Sequence, residues 1–248
     1  MKQQRFECML EACALTDPGK VRSTNQDAFR IVPELGLFLL ADGMGGARGG
    51  ERASNLAVET VAGILAGVPH RDAAALLSAV EDANQKVFSE ASRDPRLEGM
   101  GTTLVAVLET RVNDVAIASV GDSRAWVLEG GKLRAVTEDQ TWVQEVGRPL
   151  GLDDASLKRH PMRHVLTMAV GVAPAVKIRY YALEIKPDTL MLLSSDGLHG
   201  VIADDEIERI LGNGAPTLEE KCRMLVGAAN DAGSPDNVTV VLIRRKRR

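Results

Sequence analysis

The sequence is poor in aromatic residues and cysteines, has no excess of positive charge and contains no long apolar run. Aromatics make up 3% of its 248 residues, too few for a platform that stacks nucleic-acid bases. Lysine plus arginine number 30 against 34 aspartate plus glutamate, a formal net charge of −4. That argues against a general nucleic-acid binder, which carries a basic excess. The cysteines, Cys8, Cys13 and Cys222, have no framework spacing, so a reducing compartment is expected. No apolar run approaches the roughly 18 residues that span a bilayer, and no membrane insertion is expected. Met1 to Asp17 has no apolar core behind basic residues, as a secretory signal would. A cytoplasmic location is the expectation. The basic stretch Arg244 to Arg248 reads as a solvated tail ending the last strand.

Several catalytic signatures are missing too. Six residues beyond the cysteines stand Ala14, Gly19 and Ala228, so an arginine-assisted cysteine-phosphate intermediate has no support. The Gly-Lys pairs at Gly19 and Gly131 are followed by Val21 and Leu133, not by the Ser or Thr of a P-loop. His70, His160, His164 and His199 are scattered without zinc spacing,. Gly121-Asp122-Ser123-Arg124-Ala125 lacks the last glycine of a nucleophile elbow,.

What is present is a globular composition, 45% apolar and 26% charged, and the length suffices for a large core. No linker or repeat divides the chain, so residues 1–248 are expected to form a single domain. Strand-like runs are Phe6 to Ala14, Leu35 to Ala41, Thr102 to Leu108, Val112 to Val120, Ala125 to Leu128, Val176 to Leu183, Thr189 to Ser194 and Val238 to Ile243. Gly130-Gly131 reads as a hairpin turn between Leu128 and Leu133. Helical stripes run through Ala57 to Leu65, Leu76 to Phe88, and Leu218 to Ala229. Two helices come together and hairpin-linked strands follow, which favours an α+β fold with antiparallel sheets over strict βαβα alternation. Glu138 to Pro174 has no strong strand signal and is expected to be a functional flap with some helix.

The informative pattern is where the aspartates sit. Asp42 ends L-F-L-L-A-D and is followed by G-M-G-G. Asp122 ends V-A-I-A-S-V-G-D, and Asp196 ends T-L-M-L-L-S-S-D. Asp236 precedes N-V-T-V-V-L-I, and Asp27 precedes A-F-R-I-V. A single Asp-Gly is ordinarily a turn; repetition at strand ends points instead to carboxylates gathered on one rim. Two carboxylates ~4 Å apart repel by about 4 kcal/mol at an effective dielectric near 20. Such a group needs protons or a cation, and an all-oxygen donor set suits magnesium or manganese. Gly43 would let a backbone carbonyl approach a metal. Arg22, in R-S-T-N-Q-D, offers a planar fork matched to phosphate oxygens.

The ordered motifs R-S-T-N-Q-D, A-D-G-M-G-G, M-G-T-T-L, V-G-D-S-R, S-S-D-G-L and D-N-V-T, spanning about Val21 to Val241, resemble the metal-dependent protein phosphatases (PPM, or PP2C-type, serine/threonine phosphatases), above all the compact bacterial members. The resemblance implies a four-layer αββα sandwich of two antiparallel sheets flanked by helices, with a binuclear Mn2+ or Mg2+ centre at one end. It implies that Asp42 bridges the metals, that the Gly43 carbonyl binds one, and that Asp196 and Asp236 complete the other. It places Asp122 with Asp196 at a third ion of bacterial members, Arg22 on the phosphate, and Asp27 beside the attacking water, with Asn237 flanking the site. Activated water would attack phosphoserine or phosphothreonine directly, and the flap would help select substrates. The implied partners are phosphorylated proteins, the products of a serine/threonine kinase, with no nucleic acid, and the protein is expected to be a monomer.

The chain departs from the family pattern at three positions: Gln26 where Glu is usual, Ala47 where many members carry His, and Met168 where most carry Arg. A neutral amide at Gln26 should weaken or re-hydrate one metal position. The missing histidine leaves water or His199 to protonate the leaving alkoxide, although His199 fits a structural role better. Two rival readings share the same residues: a catalytically weak module that binds phosphoproteins, and a phosphatase for small phosphoesters.

Overall fold

A computed structural model describes residues 9–111, 114–187 and 189–245, without the side chains of residues 47, 48 and 111. Its elements in chain order are β1 (Leu10–Asp17), β2 (Asp27–Val32), β3 (Leu37–Met44), α1 (Gly46–Gly67), α2 (Ala73–Arg93), β4 (Gly101–Thr102), β5 (Leu104–Arg111), β6 (Asp114–Val120), β7 (Arg124–Glu129), β8 (Lys132–Ala135), α3 (Asp154–Arg159), β9 (Arg179–Glu184), β10 (Leu190–Ser194), α4 (Asp196–His199), α5 (Asp204–Gly212), α6 (Leu218–Asp231) and β11 (Val238–Arg245).

The strands form two antiparallel sheets. One has the order β1-β11-β10-β7-β8 and the other β2-β3-β5-β6-β9, with β4 beside β3. Period-two alternation explains the layering. In β3, Leu37, Leu39 and Ala41 face α1 and α2, while Phe38 and Leu40 face the opposite sheet. In β11, Val238, Val240 and Leu242 face α5 and α6, while Val241 and Ile243 point between the sheets. Both faces of these central strands are therefore apolar, and each reads as a continuous hydrophobic run. Helix, sheet, sheet, helix is the sandwich that the resemblance implied. Among the described residues no helix is long and apolar enough to cross a membrane.

Most sequence expectations are close in register. The Gly130-Gly131 turn joins β7 to β8 with Leu128 opposite Leu133. Both glycines have positive φ, 57° and 77°, as a type I′ hairpin turn requires. Leu10, Ala12 and Ala14 share one face of β1, toward the space between the sheets; Phe6 and Cys8 lie outside the described residues, as do Val112 and residues 246–248. Some boundaries move. Pro33–Leu35 is a 3-10 turn closed by left-handed Gly36, so β3 starts at Leu37 rather than Leu35. β9 starts at Arg179 rather than Val176. The first helix begins at Gly46, ahead of its apolar stripe.

Antiparallel pairing positions the acidic residues. Asp27, the first residue of β2, lies directly opposite Asp42 near the end of β3. β6 runs in the same direction as β3, each being antiparallel to β5, so Asp122 leaves the sheet at the same edge. In the other sheet, β10 ends just before Asp196, and antiparallel β11 begins just after Asp236.

Candidate metal and phosphate site

Asp42 is the hub. Its backbone is fixed by Thr103, whose Oγ1 accepts from Asp42 N at 2.9 Å and whose N donates to Asp42 O at 2.8 Å. Thr102 Oγ1 also donates to Asp42 O at 2.8 Å. Behind them, Thr103 Oγ1 and Ser123 Oγ share a hydrogen bond of 2.7 Å, tying the β3–β4 corner to the loop that carries Asp122. Asp42 lies within hydrogen-bond reach of the carboxyls of both Asp27 and Asp196.

The electrostatics follow from that crowding. Burial first, then the charges of Asp27, Asp196, Asp122 and Asp236, push the Asp42 carboxyl well above the ordinary carboxylate range. Burial pushes Asp27 up to about 6, against stabilising hydrogen bonds from Thr239 and Ser195. Burial, with Asp196 and Asp139 nearby, pushes Asp122 up to about 7. Asp196 is raised by burial and by Asp236, and His164 and Arg22 oppose the rise. Asp27, Asp122, Asp196 and Asp236 are therefore gathered around Asp42, with Arg22 at Asp236, although their sequence positions span Arg22 to Asp236.

Two buried oxygens in this cluster have no hydrogen-bond partner: Asp27 Oδ1 and Asp196 Oδ1. The companion oxygen of Asp27 is held, since Ser195 Oγ donates to Asp27 Oδ2 at 2.8 Å. Unpartnered buried carboxylate oxygens are costly unless something charged binds them. Hard all-oxygen donors suit Mg2+ or Mn2+, so the residues present fit such ions. No three His, Cys, Asp or Glu side chains among the described residues stand as a ready-made ligand cage; the fit rests on the donor chemistry and the orphaned oxygens.

Gly43 follows Asp42 at a point where backbone meets backbone. A Cβ on Gly43 would lie 2.1 Å from Gly50 O and 2.6 Å from Gln26 O. A Cβ on Gly50 would lie 2.8 Å from Gly43 O. The glycines at the start of α1 thus let the helix seat directly on the strand end that carries Asp42. The Gln26 amide donates to Gly46 O, at 2.6 Å, and so spans the same corner.

Arg22 Nη2 donates to Asp236 Oδ2 at 2.7 Å, and its side chain is half-exposed. Its loop is held by Asn237, which sequence reasoning placed only as a flanking residue. Asn237 is buried; its Oδ1 accepts from Gln26 N at 2.8 Å, and its Nδ2 donates to Pro18 O and Thr24 O at 2.9 and 3.0 Å. The sequence reading also gave no role to Ser195, Thr239, Thr102, Thr103 or Ser123. They stand as hydroxyl residues within S-S-D, N-V-T, M-G-T-T and G-D-S, but the acids they support, Asp27 and Asp42, lie far away in sequence.

His199 is removed as a proton source. Its ring donates to the Asp122 carbonyl and pairs through Nδ1 with Ser194 Oγ at 2.9 Å; Ser194 Oγ in turn accepts from Trp126 Nε1 at 2.9 Å. Burial and the Arg124 charge hold its pKa well below the ordinary value. A neutral imidazole with both nitrogens occupied braces Asp122 and delivers no proton. His199→Asn is therefore expected to lower stability by about 1–3 kcal/mol, the scale for a broken buried hydrogen bond, and to leave the shape of the pH–rate profile unchanged. Chemical denaturation and kcat/KM between pH 5 and 9 check this; loss of the alkaline limb would restore His199 as the acid.

Known proteins resemble this chain over nearly its whole length. Residues 20–226 match the family model described as protein phosphatase 2C. The serine/threonine phosphatase stp of Listeria monocytogenes is 33% identical over 93% of this chain and 94% of its own. The structure of serine/threonine phosphatase Stp1 from Staphylococcus aureus superposes with a TM-score of 0.90 at 29% identity, covering 100% of this chain and 99% of that one. The catalytic domain of the serine threonine protein phosphatase PstP, solved in complex with two manganese ions, superposes with a TM-score of 0.84 at 33% identity, covering 95% and 97%.

Proposed function

The chain belongs to the protein phosphatase 2C family and is a serine/threonine protein phosphatase, and we propose from that premise that its aspartate rim holds two Mn2+ or Mg2+ ions. Asp42, the Gly43 carbonyl, Asp196 and Asp236 would hold the pair, and Asp122 with Asp196 would receive a third ion. The observation that carries this reading is Asp42: burial and four surrounding aspartates disfavour its anion, while Asp27 and Asp196 each keep a buried oxygen without a partner. When bound, the ions would polarise phosphoryl oxygens and lower the pKa of an attacking water.

The protein's own groups do the rest. Asp27, its Oδ2 fixed by Ser195, keeps Oδ1 free to accept a hydrogen bond from water aligned on phosphorus. Thr16 Oγ1 and Thr239 Oγ1, 2.6 Å apart, and Asn25 Nδ2, donating to Thr16 at 2.7 Å, stiffen the strands behind it. Arg22 exchanges its contact with Asp236 for the phosphoryl oxygens of the substrate. The substrates are phosphoserine and phosphothreonine in proteins that a serine/threonine kinase has modified. The leaving alkoxide takes its proton from solvent, since His199 is sequestered.

The test is phosphate release from a phosphothreonine peptide and from p-nitrophenyl phosphate with Mn2+. Release that EDTA abolishes and added Mn2+ restores is expected; no release from either substrate would overturn the reading. Arg22→Ala should raise KM for the peptide by about 10–100-fold with a smaller change in kcat, because a charge-assisted hydrogen bond of about 1.5–3 kcal/mol is lost from bound substrate. An unchanged KM would remove Arg22 from the phosphate.

A further inference from the structure

The flap between β8 and β9 is fastened to the acidic rim at both ends. Gln140 is buried; its N and Oε1 both pair with Gly121, at 2.9 and 2.8 Å, one residue from Asp122. At the other end Val170 and Thr102 exchange two backbone hydrogen bonds, 3.0 and 2.8 Å, beside Asp42. Between these anchors the flap folds on itself. Trp142 stacks on His160 with ring centroids 4.0 Å apart, and Trp142 N donates to Val165 O at 2.8 Å. Residues 158–165 therefore form a positioned strip, and its His164 lies near Asp196.

The chemistry of that strip is opposite to the rim it borders. Lys158, Arg159 and Arg163 are exposed and form no ion pair among the described residues. The neighbouring acids are already engaged: Asp153 caps α3 through Ser156, Asp154 pairs with Arg148, and Glu145 receives Arg179 and Thr167. Large apolar side chains are exposed in the same strip, Met162 at 39% and Val165 at 40%, and earlier in the flap Leu150 at 70%. Exposed apolar side chains among unpaired cations suit contact with a segment that carries both acidic and apolar groups.

We propose that Lys158, Arg159 and Arg163 dock an acidic segment of the phosphoprotein substrate, with an apolar residue of that segment covering Met162 and Val165. The proposal rests on the phosphatase reading above and names the substrate class within it. Charge complementarity selects the occupant: a strip of unpaired cations steers anionic chains toward the site and rejects basic ones. Aspartate, glutamate or a second phosphate beside the phosphoresidue meets these cations while that residue reaches Asp42.

The experiment compares three phosphothreonine peptides that differ only in acidic, neutral or basic flanks. The wild-type protein and the triple variant Lys158→Gln, Arg159→Gln, Arg163→Gln are assayed with Mn2+, with p-nitrophenyl phosphate in parallel. The wild type should prefer acidic over basic flanks about tenfold in kcat/KM, the scale expected of a few exposed ion pairs. The preference should fall to about twofold in the triple variant and at roughly 1 M salt, with turnover of p-nitrophenyl phosphate unchanged. Equal kcat/KM for all three peptides, or a preference that survives in the triple variant, overturns the proposal and leaves the phosphatase reading intact. Binding of the wild type to phosphatidylserine vesicles, lost in the triple variant, without any peptide preference would give the strip to lipid and overturn it too. Failure to hydrolyse any peptide or p-nitrophenyl phosphate overturns the underlying reading and this proposal with it.

Discussion

Asp42→Asn is expected to cut turnover of a phosphothreonine peptide by on the order of a thousand-fold, because the several kcal/mol that bound ions contribute to the transition state depend on this hub. The same change should leave the metal-free fold intact. Asp42 N and O are held by Thr103 and Thr102 whatever the side chain carries. Its carboxylate is the group that Asp27, Asp196, Asp122 and Asp236 all disfavour, so a neutral amide relieves repulsion. In EDTA the variant should melt at or above the wild-type temperature, and Mn2+ should raise that temperature less than it does for the wild type. Near-normal turnover would remove Asp42 from the centre. Loss of turnover together with an unfolded variant would show that the residue is structural.

The second large effect is on stability against pH in the absence of metal. Asp27 and Asp122 have folded-state pKa values of about 6 and about 7, above the ordinary value of 3.8. The folded state therefore holds its protons more tightly than the unfolded chain does. Stability from these groups is fully present below pH 3.8 and is lost as the pH rises through 6 to 7, where the folded carboxyls ionise against one another. The metal-free protein should become easier to denature with urea between about pH 4 and pH 7. Saturating Mn2+ should reverse that slope, since ligand bound only by the folded state stabilises it and needs the carboxylates deprotonated. Asp122→Asn should flatten the metal-free slope. A metal-free protein that instead gains stability through this window would mean that the carboxylates are separately solvated.

Much of this site was legible in the sequence because its donors follow from strand patterning. L-F-L-L-A-D has to be a central strand, buried on both faces, and Asp42 has to sit at its end; the same holds for the runs ending at Asp122 and Asp196. Strand patterning alone leaves open which ends converge; the family resemblance supplied that. The register of Asp27 opposite Asp42 depends on β2, whose D-A-F-R-I-V exposes Phe29 and Arg30 and so lacks a clean alternation. α5 was missed because its apolar face is only Ile207, Ile210 and Leu211 in nine residues, opened by Asp204, Asp205 and Glu206. The flap gave no pattern because Leu150, Met162 and Val165 face solvent; burial did not select them, so periodicity had nothing to register. Asn237 and Gln140 hold their loops through backbone atoms far away in sequence, and no local spacing announces such a clamp.

The most direct test of the central claim is anomalous scattering from a crystal soaked in Mn2+ and measured near the manganese edge. The account predicts two peaks within a coordination bond, roughly 2.0–2.2 Å, of carboxylate oxygens from Asp42, Asp196 and Asp236, and a third near Asp122 at higher manganese. Manganese bound elsewhere, or these carboxylates too far apart to share an ion, would contradict it.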